Sequence, residues 1–415
     1  MKLNLFLLCF SLFFITQCFS QINEQQINKS TTYNDENWPQ YMGPNMNAKV
    51  KSEYIPSAHP EISWEFKYDG GTPTPLVVDK GTTFFGTESK NVYAIDSIGN
   101  LKWKVELDSR IKHSPVIYED ILVVAPDSTL IYGINALNGN IIWKREFSYE
   151  YKSYISDKKD MFGRTIVTDP DKFTIKKMGQ NEAPPFIDKA QVLITAYYHF
   201  VILDIKTGKT QSSFQKNQGK ISIPLITDDA IYTTNRYNKL FAYNKGTGKL
   251  KWETKLSELE TKPILYKDTI YTSSYYYLNK IDKNSGENLG AFHSIKSRKE
   301  YDIIDNETYY TSENGYHTHM GVNYGSYLTA FDLSTGEEKW DFNIEGKYIT
   351  ELIMVGDYIY FGDSSGRIRG VHKITGQKLF SGYIGGSIDT PLSYANGKLY
   401  GAYEKNEKYV IFAVE

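Results

Sequence analysis

The sequence predicts an all-β protein: an eight-bladed β-propeller of four-stranded antiparallel blades, its ring closed by an N-terminal strand. A hairpin signature recurs roughly every 40 residues, the length of one propeller blade. A second marker, usually a proline, keeps a similar beat near the start of each unit. The last unit ends one strand short, and a spare strand stands before the first.

The hairpin is clearest at Leu240–Trp252, LFAYNKGTGKLKW. Leu240 to Tyr243 is apolar and aromatic, as a half-buried strand should be. Gly246 and Gly248 flank Thr247 and can supply the positive φ of a tight turn. Leu250 and Trp252 then alternate with Lys249 and Lys251, with the period of two that a strand requires. Equivalent turns join Asp96 to Gly99, Asn135 to Gly139, Asp204 to Gly208, Asn244 to Gly248, Asp282 to Gly286, Asp332 to Gly336 and His372 to Gly376. The second marker stands at Pro75, Pro115, Pro185, Pro224, Pro263, Ile303, Leu352 and Pro391, and so counts eight units where the turns count seven. The eighth unit stops at Glu415, where its fourth strand should begin. Ile62–Lys67, which carries Trp64, is expected to supply that strand and close the ring. Closure removes the open sheet edges that invite aggregation.

Trp103, Trp143, Trp252 and Trp340 each follow their turn glycine by four residues. Ser212, Gly290 and Phe380 hold that place in the weaker copies. A large aromatic at a blade interface buries much area, and a turn Asp or Asn can satisfy turn amides. The tryptophans, Trp64 included, and their Asp/Asn partners are assigned to blade docking and not to chemistry.

The chain has 415 residues, a net charge of −2 and 40% hydrophobic residues, so it can bury a large core. The near-neutral balance gives no global field for nucleic acid. Residues 1–20 read as a secretory signal: Lys2 is the positive start, Leu5 to Ile15 the apolar core and Ser20 the small residue at the cleavage point. The mature chain is then exported, periplasmic or secreted, with no membrane span. Cys9 and Cys18 both lie in this segment, so the mature chain has no disulfide and no thiolate site. The alternative is a lipid anchor on Cys18, for which the preceding Gln17 is a poor fit. Residues 21–60 form a leader and 61–415 the propeller.

With these residues in view, Ala94–Trp103, Ala242–Trp252 and Ala330–Trp340 resemble the tryptophan-docking repeat of the PQQ-like, quinoprotein-type β-propellers. Trp38–Pro44, WPQYMGP, resembles the leader that often precedes such propellers in exported bacterial proteins. The resemblance runs from about Trp38 to Glu415 and implies a fold more than a function, because the repeat serves both enzymes and scaffolds. The non-enzymatic BamB-like branch implies a cell-envelope scaffold serving the insertion of β-barrels into the outer membrane. The enzyme branch implies PQQ, a calcium held by carboxylate and amide oxygens, and an aspartate base. Its alcohol-oxidising members carry a vicinal cysteine pair, and this sequence has none.

Residues that depart from the beat are the remaining candidates for binding. Residues 148–182 carry a charged, irregular excursion, either a solvated flap or a contact for a partner or ligand. A second excursion, 313–324, holds His317 and His319, which share one face of a strand and are weak candidates for a metal. Lys112, His113, Lys220, Lys262, Asp302, Glu351 and Asp389 precede inner strands and can meet around the central channel. There they either bind a small polar ligand or line a wet channel as compensating charges. Gly362–Gly366, GDSSG, matches a nucleophile-elbow pattern, but a second strand-like run follows it where an elbow needs a helix. The reading is therefore an exported, non-catalytic binding or scaffold module, with outer-membrane protein assembly as its candidate process. It is expected to be monomeric, to need no cofactor, to have an envelope protein partner and to lack catalytic residues. The alternative is a divergent PQQ- and calcium-dependent sugar or alcohol dehydrogenase.

Overall fold

The computed structural model describes residues 37–43, 47–52, 57, 59–147, 149–154, 173–178, 183–196, 199–215, 223–235, 237–256, 262–273, 277–293, 302–313, 318–319, 322–323, 326–344 and 348–415. Residues 1–20, with Cys9 and Cys18, lie outside them, as do Lys220 and His317. All the described elements belong to the compact unit Asp35–Glu415.

Eight four-stranded antiparallel sheets follow one another around the ring. Blade 1 is Val77–Asp79, Thr82–Gly86, Asn91–Ile95 and Leu101–Glu106, written from the inner strand outward. Blade 2 is Val116–Tyr118, Ile121–Val124, Leu130–Asn135 and Ile141–Glu146. Blade 3 is Phe186–Asp188, Gln191–Ala196, His199–Asp204 and Thr210–Gln215. Blade 4 is Leu225–Ile226, Ala230–Asn235, Lys239–Asn244 and Leu250–Lys255. Blade 5 is Ile264–Tyr266, Thr269–Ser273, Tyr277–Asp282 and Asn288–His293. Blade 6 is Ile303–Asp305, Thr308–Glu313, Tyr327–Asp332 and Glu338–Asn343. Blade 7 is Ile353–Val355, Tyr358–Gly362, Arg367–His372 and Lys378–Tyr383. Blade 8 is Ser393–Ala395, Lys398–Lys405, Lys408–Val414 and, from the other end of the chain, Ile62–Tyr68.

The closing strand pairs antiparallel with Lys408–Val414, setting Trp64 opposite Ala413. The burial pattern follows from blade stacking. The second and third strands of blade 1 are buried throughout, because a neighbouring blade covers each face. Its outer strand, LKWKVE, buries only Trp103 fully. Among the described residues no helix is long and apolar enough to cross a membrane.

The docking tryptophans pack on the turn glycine of the next blade. A Cβ on Gly208 would sit 2.5 Å from Trp143, and one on Gly286 would sit 2.6 Å from Trp252. Both glycines also have positive φ, so close approach and backbone conformation demand the same residue. Each indole Nε1 donates to the carbonyl just after the polar turn residue: Trp103 to Ala136 at 2.9 Å, Trp143 to Ile205 at 2.9 Å, Trp252 to Lys283 at 3.2 Å and Trp340 to Lys373 at 3.0 Å. Trp64 packs on Gly99, yet its Nε1 is buried with no acceptor. Its turn, Asp96–Gly99, is one residue shorter than the others.

In two of the weaker copies another residue docks. Ser212 and Gly290 do not dock; Phe214 and Phe292, two residues later, fill the space. A Cβ on Gly248 would meet Phe214 at 2.2 Å, and one on Gly336 would meet Phe292 at 2.5 Å. Two residues along a strand return to the same face, so the aromatic can shift by one pleat. Phe380 packs instead on Tyr360 of its own blade, with ring centroids 6.0 Å apart. Blade 8 has no hairpin turn to offer it there, because its two outer strands, Lys408–Val414 and Ile62–Tyr68, come from distant parts of the sequence. The turn carboxylates act as read from the sequence. Hydrogen bonds from Thr207, Ser285 and Ser334 hold Asp204, Asp282 and Asp332 below the usual carboxyl range.

Trp143 is 6% exposed, whereas Trp252 is half-buried. Truncating Trp143 to alanine should cost about 3–5 kcal/mol, and Trp252→Ala should fall near the lower end of that range. Urea midpoints of the two variants check the order. An unchanged midpoint for Trp143→Ala would contradict the docking assignment.

The first excursion is not irregular where it is described. Tyr149–Tyr154 pairs antiparallel with Phe173–Met178 as a two-stranded ribbon outside the blades. In the second, Glu313 ends a strand of blade 6, and Thr318–His319 pairs with Val322–Asn323.

Candidate axial site

In a propeller the inner strands turn their free edges, with unpaired N–H and C=O groups, toward the axis. Here residues 37–43 and 47–52 supply partners. Trp38 exchanges both backbone hydrogen bonds with Val78 of blade 1, at 2.7 and 2.9 Å. The Pro39 carbonyl accepts from Ile117 N of blade 2 at 2.9 Å, and Gln40 Oε1 accepts from Ile187 N of blade 3 at 2.8 Å. On the return path Lys49–Val50 pairs in parallel with the inner strand of blade 7. Ala48 and Val50 carbonyls accept from Met354 N and Gly356 N there. Ser52 Oγ lies 2.9 Å from the Tyr394 hydroxyl of blade 8.

The segment enters and leaves at one end of the inner strands. Asn37 Oδ1 accepts from Lys80 N, in the turn that follows the blade 1 inner strand, and Val50 sits against the same turn of blade 7. Its apex, Tyr41–Met42, reaches the residues that open the inner strands. Ala48 N donates to Met42 O at 2.8 Å and Gly43 N to Gln40 O at 3.0 Å, so the two limbs meet beside the apex. Trp38 is 2% exposed and Tyr41 6%. Pro224, Leu225 and Pro263 of blades 4 and 5 line one flank of the apex, and Pro391 and Leu392 of blade 8 the other.

The polar residues singled out in the sequence divide into two groups. Lys262, Asp302 and Glu351 stand one or two residues before the inner strands of blades 5, 6 and 7. Glu351 accepts the Tyr41 hydroxyl at 3.0 Å, and Lys262, 4% exposed, places Nζ 2.5 Å from Met42 Sδ. Asp302, 2% exposed, accepts from Ser273 Oγ at 2.8 Å, Tyr309 hydroxyl at 2.5 Å and Thr311 Oγ1 at 2.6 Å. In the other group, Lys112 and Asp389 pair with other side chains. Lys112 and Arg110 each reach Asp127 at 2.8 Å; burial pushes that carboxyl up, and the two cations more than offset it. His113 is half-buried beside Lys112, and exposed Asp389 accepts from Ser387 Oγ at 2.8 Å. His319 lies in its short hairpin strand with its side chain outside the described residues.

Asp305 of blade 6 anchors the return path. Its carboxylate holds Lys49 at 3.0 Å and Lys373 of blade 7 at 3.1 Å. Burial pushes its carboxyl up, but the two ammonium groups outweigh that and hold it below the usual range. A carboxyl depressed in the folded state stabilises above its unfolded value, about pH 4, and loses that contribution as pH falls through the folded value. The gap in thermal midpoint between the native chain and Asp305→Asn should therefore be largest near neutral pH and close below about pH 4. A gap independent of pH would exclude this linkage.

Residues 362–366 form a turn between two strands of blade 7, with Gly366 N donating to Asp363 O at 3.0 Å. Asp363 is fully buried and accepts from Ser365 N, Ser365 Oγ and Arg367 N, and from Arg369 Nε at 2.7 Å. Ser364 Oγ accepts from Tyr348 N at 3.2 Å, so the motif organises a turn. The Asp363–Arg369 pair was not singled out in the sequence; its only signal is the alternation of Arg367 and Arg369 after the turn.

Comparison with known proteins places this geometry. The family described as outer membrane protein assembly factor BamB matches residues 57–172, 163–254, 211–289 and 239–342. A search of the curated proteins finds no match. BamB from Moraxella catarrhalis is 17% identical with a TM-score of 0.61, over 86% of this chain and 97% of that one. Quinohemoprotein alcohol dehydrogenase from Comamonas testosteroni is 11% identical with a TM-score of 0.70, over 94% and 82%. A europium-containing methanol dehydrogenase is 13% identical with a TM-score of 0.65, over 90% of each chain. At these identities the structures share the fold alone. With the family match extending over more than half of its length, the chain belongs to the PQQ-like β-propellers of the outer membrane protein assembly factor BamB family.

Proposed function

We propose that the chain is an exported, non-catalytic binding module of the cell envelope that serves outer-membrane protein assembly. The observation that carries this reading is the family match over residues 57–342. The axial residues support it. Tyr41 and Met42 occupy the space against Glu351 and Lys262, and three hydroxyls already satisfy Asp302. Among the described residues no three of His, Cys, Asp and Glu stand together as a metal-binding group. With Glu351 and Lys262 covered and Asp302 already holding three hydroxyls, the axial residues do not fit a calcium and quinone pair. A partner protein, not a cofactor, is the expected ligand.

The test is cross-linking of the tagged chain in native envelopes, with recovered proteins identified by mass spectrometry. Recovery of a β-barrel assembly protein is expected. The dehydrogenase alternative, which the alcohol and methanol dehydrogenase folds keep in view, is tested by adding PQQ and calcium and following dye reduction. Dye reduction above a heat-treated control would overturn the proposal.

A further inference from the structure

We infer that the axial channel is a binding site for an extended peptide, filled in cis by this chain's own residues 37–43 and 47–52. The inference goes beyond the scaffold reading and does not depend on which protein the ring serves. Its first support is the mode of contact. The leader adds backbone hydrogen bonds to inner-strand edges of blades 1, 2 and 7, through Trp38, Pro39, Ala48 and Val50, as a peptide does when it extends a sheet edge. At blade 3 a side chain, Gln40 Oε1, takes the place of a backbone carbonyl, so recognition there depends on sequence.

The second support is topological. Every blade is complete without the leader, since blade 8 closes with Ile62–Tyr68. The leader is therefore an addition to a finished ring. The third support is polarity: Lys49 to Asp305 and Tyr41 to Glu351 anchor the two limbs by side-chain pairs of the kind used in binding sites. The chemistry selects an extended segment with a large aromatic at its start, followed by proline and an amide side chain, and a lysine in its returning limb. The site opens toward the turns after the inner strands, where Asn37 and Val50 leave it.

The experiment uses the full chain with a protease site inserted between residues 52 and 57. Cleavage leaves residues 37–52 held by non-covalent contacts only. A fluorescent peptide of residues 37–52 is then added in excess. We expect it to exchange into the cleaved protein, and the same peptide carrying Trp38→Ala to bind at least tenfold more weakly. Circular dichroism and gel filtration of the cleaved protein report whether the ring stays folded. A cleaved leader that never exchanges would make it permanent core and overturn the inference. Unfolding on its release would do the same, and so would a folded, leader-free ring that takes up both peptides equally or neither.

Discussion

Trp38→Ala should release the leader from blade 1 and raise the exchange rate of the Val78 amide by about two to three powers of ten. The Trp38 ring is almost fully buried, and Gly43, with φ of 77°, turns the chain back against it. Removing such a side chain costs about 3–5 kcal/mol when the site cannot collapse. The Val78 N–H donates to Trp38 O at 2.9 Å, so its protection reports leader docking directly. Amides in blades 4 and 5 that the leader does not bond, such as Ala242 opposite Trp252, should keep their protection. Local loss at Val78 with protection retained elsewhere is the expected pattern. Unchanged exchange at Val78 would mean that Trp38 does not hold the leader.

Arg369→Ala should destabilise the chain by about 3–5 kcal/mol, because it strands the Asp363 carboxylate in the interior. Asp363 is 0% exposed and Arg369 6%. The remaining donors, Ser365 and Arg367 N, satisfy one carboxylate oxygen and leave Oδ2 without its partner. Replacing both charges, as in Asp363→Asn with Arg369→Met, should cost less than Arg369→Ala alone, since no unpaired charge is then buried. Chemical denaturation of the three proteins checks the order. A double variant less stable than Arg369→Ala would show that the pair contributes more than charge compensation.

Much of the ring was legible in the sequence because its determinants are local. A turn glycine with a polar residue ahead of it, an alternating outer strand and a marker before the inner strand each act within a few residues, and they recur at Gly139, Gly208, Gly248 and onward. The closing strand was legible by the same count, since Glu415 ends the last unit one strand short. Docking was only half legible. Which aromatic reaches the neighbouring turn depends on pleat position across a blade interface, so the four-residue spacing falls on Ser212 and Gly290 and misses Phe214 and Phe292.

The axial site was least legible. Lys262, Asp302 and Glu351 were placed near the channel from their position before inner strands, but the sequence carried no sign that Tyr41 and Met42 would cover Glu351 and Lys262. The sequence by itself determined the repeat, the blade count and the closure of the ring, because short-range pattern and turn chemistry specify them. Only the tertiary structure decided what occupies the axis and which buried charges pair. Those outcomes join residues as far apart as Tyr41 and Glu351, and free strand edges accept any extended segment that satisfies their hydrogen bonds, so neither leaves a period in the sequence.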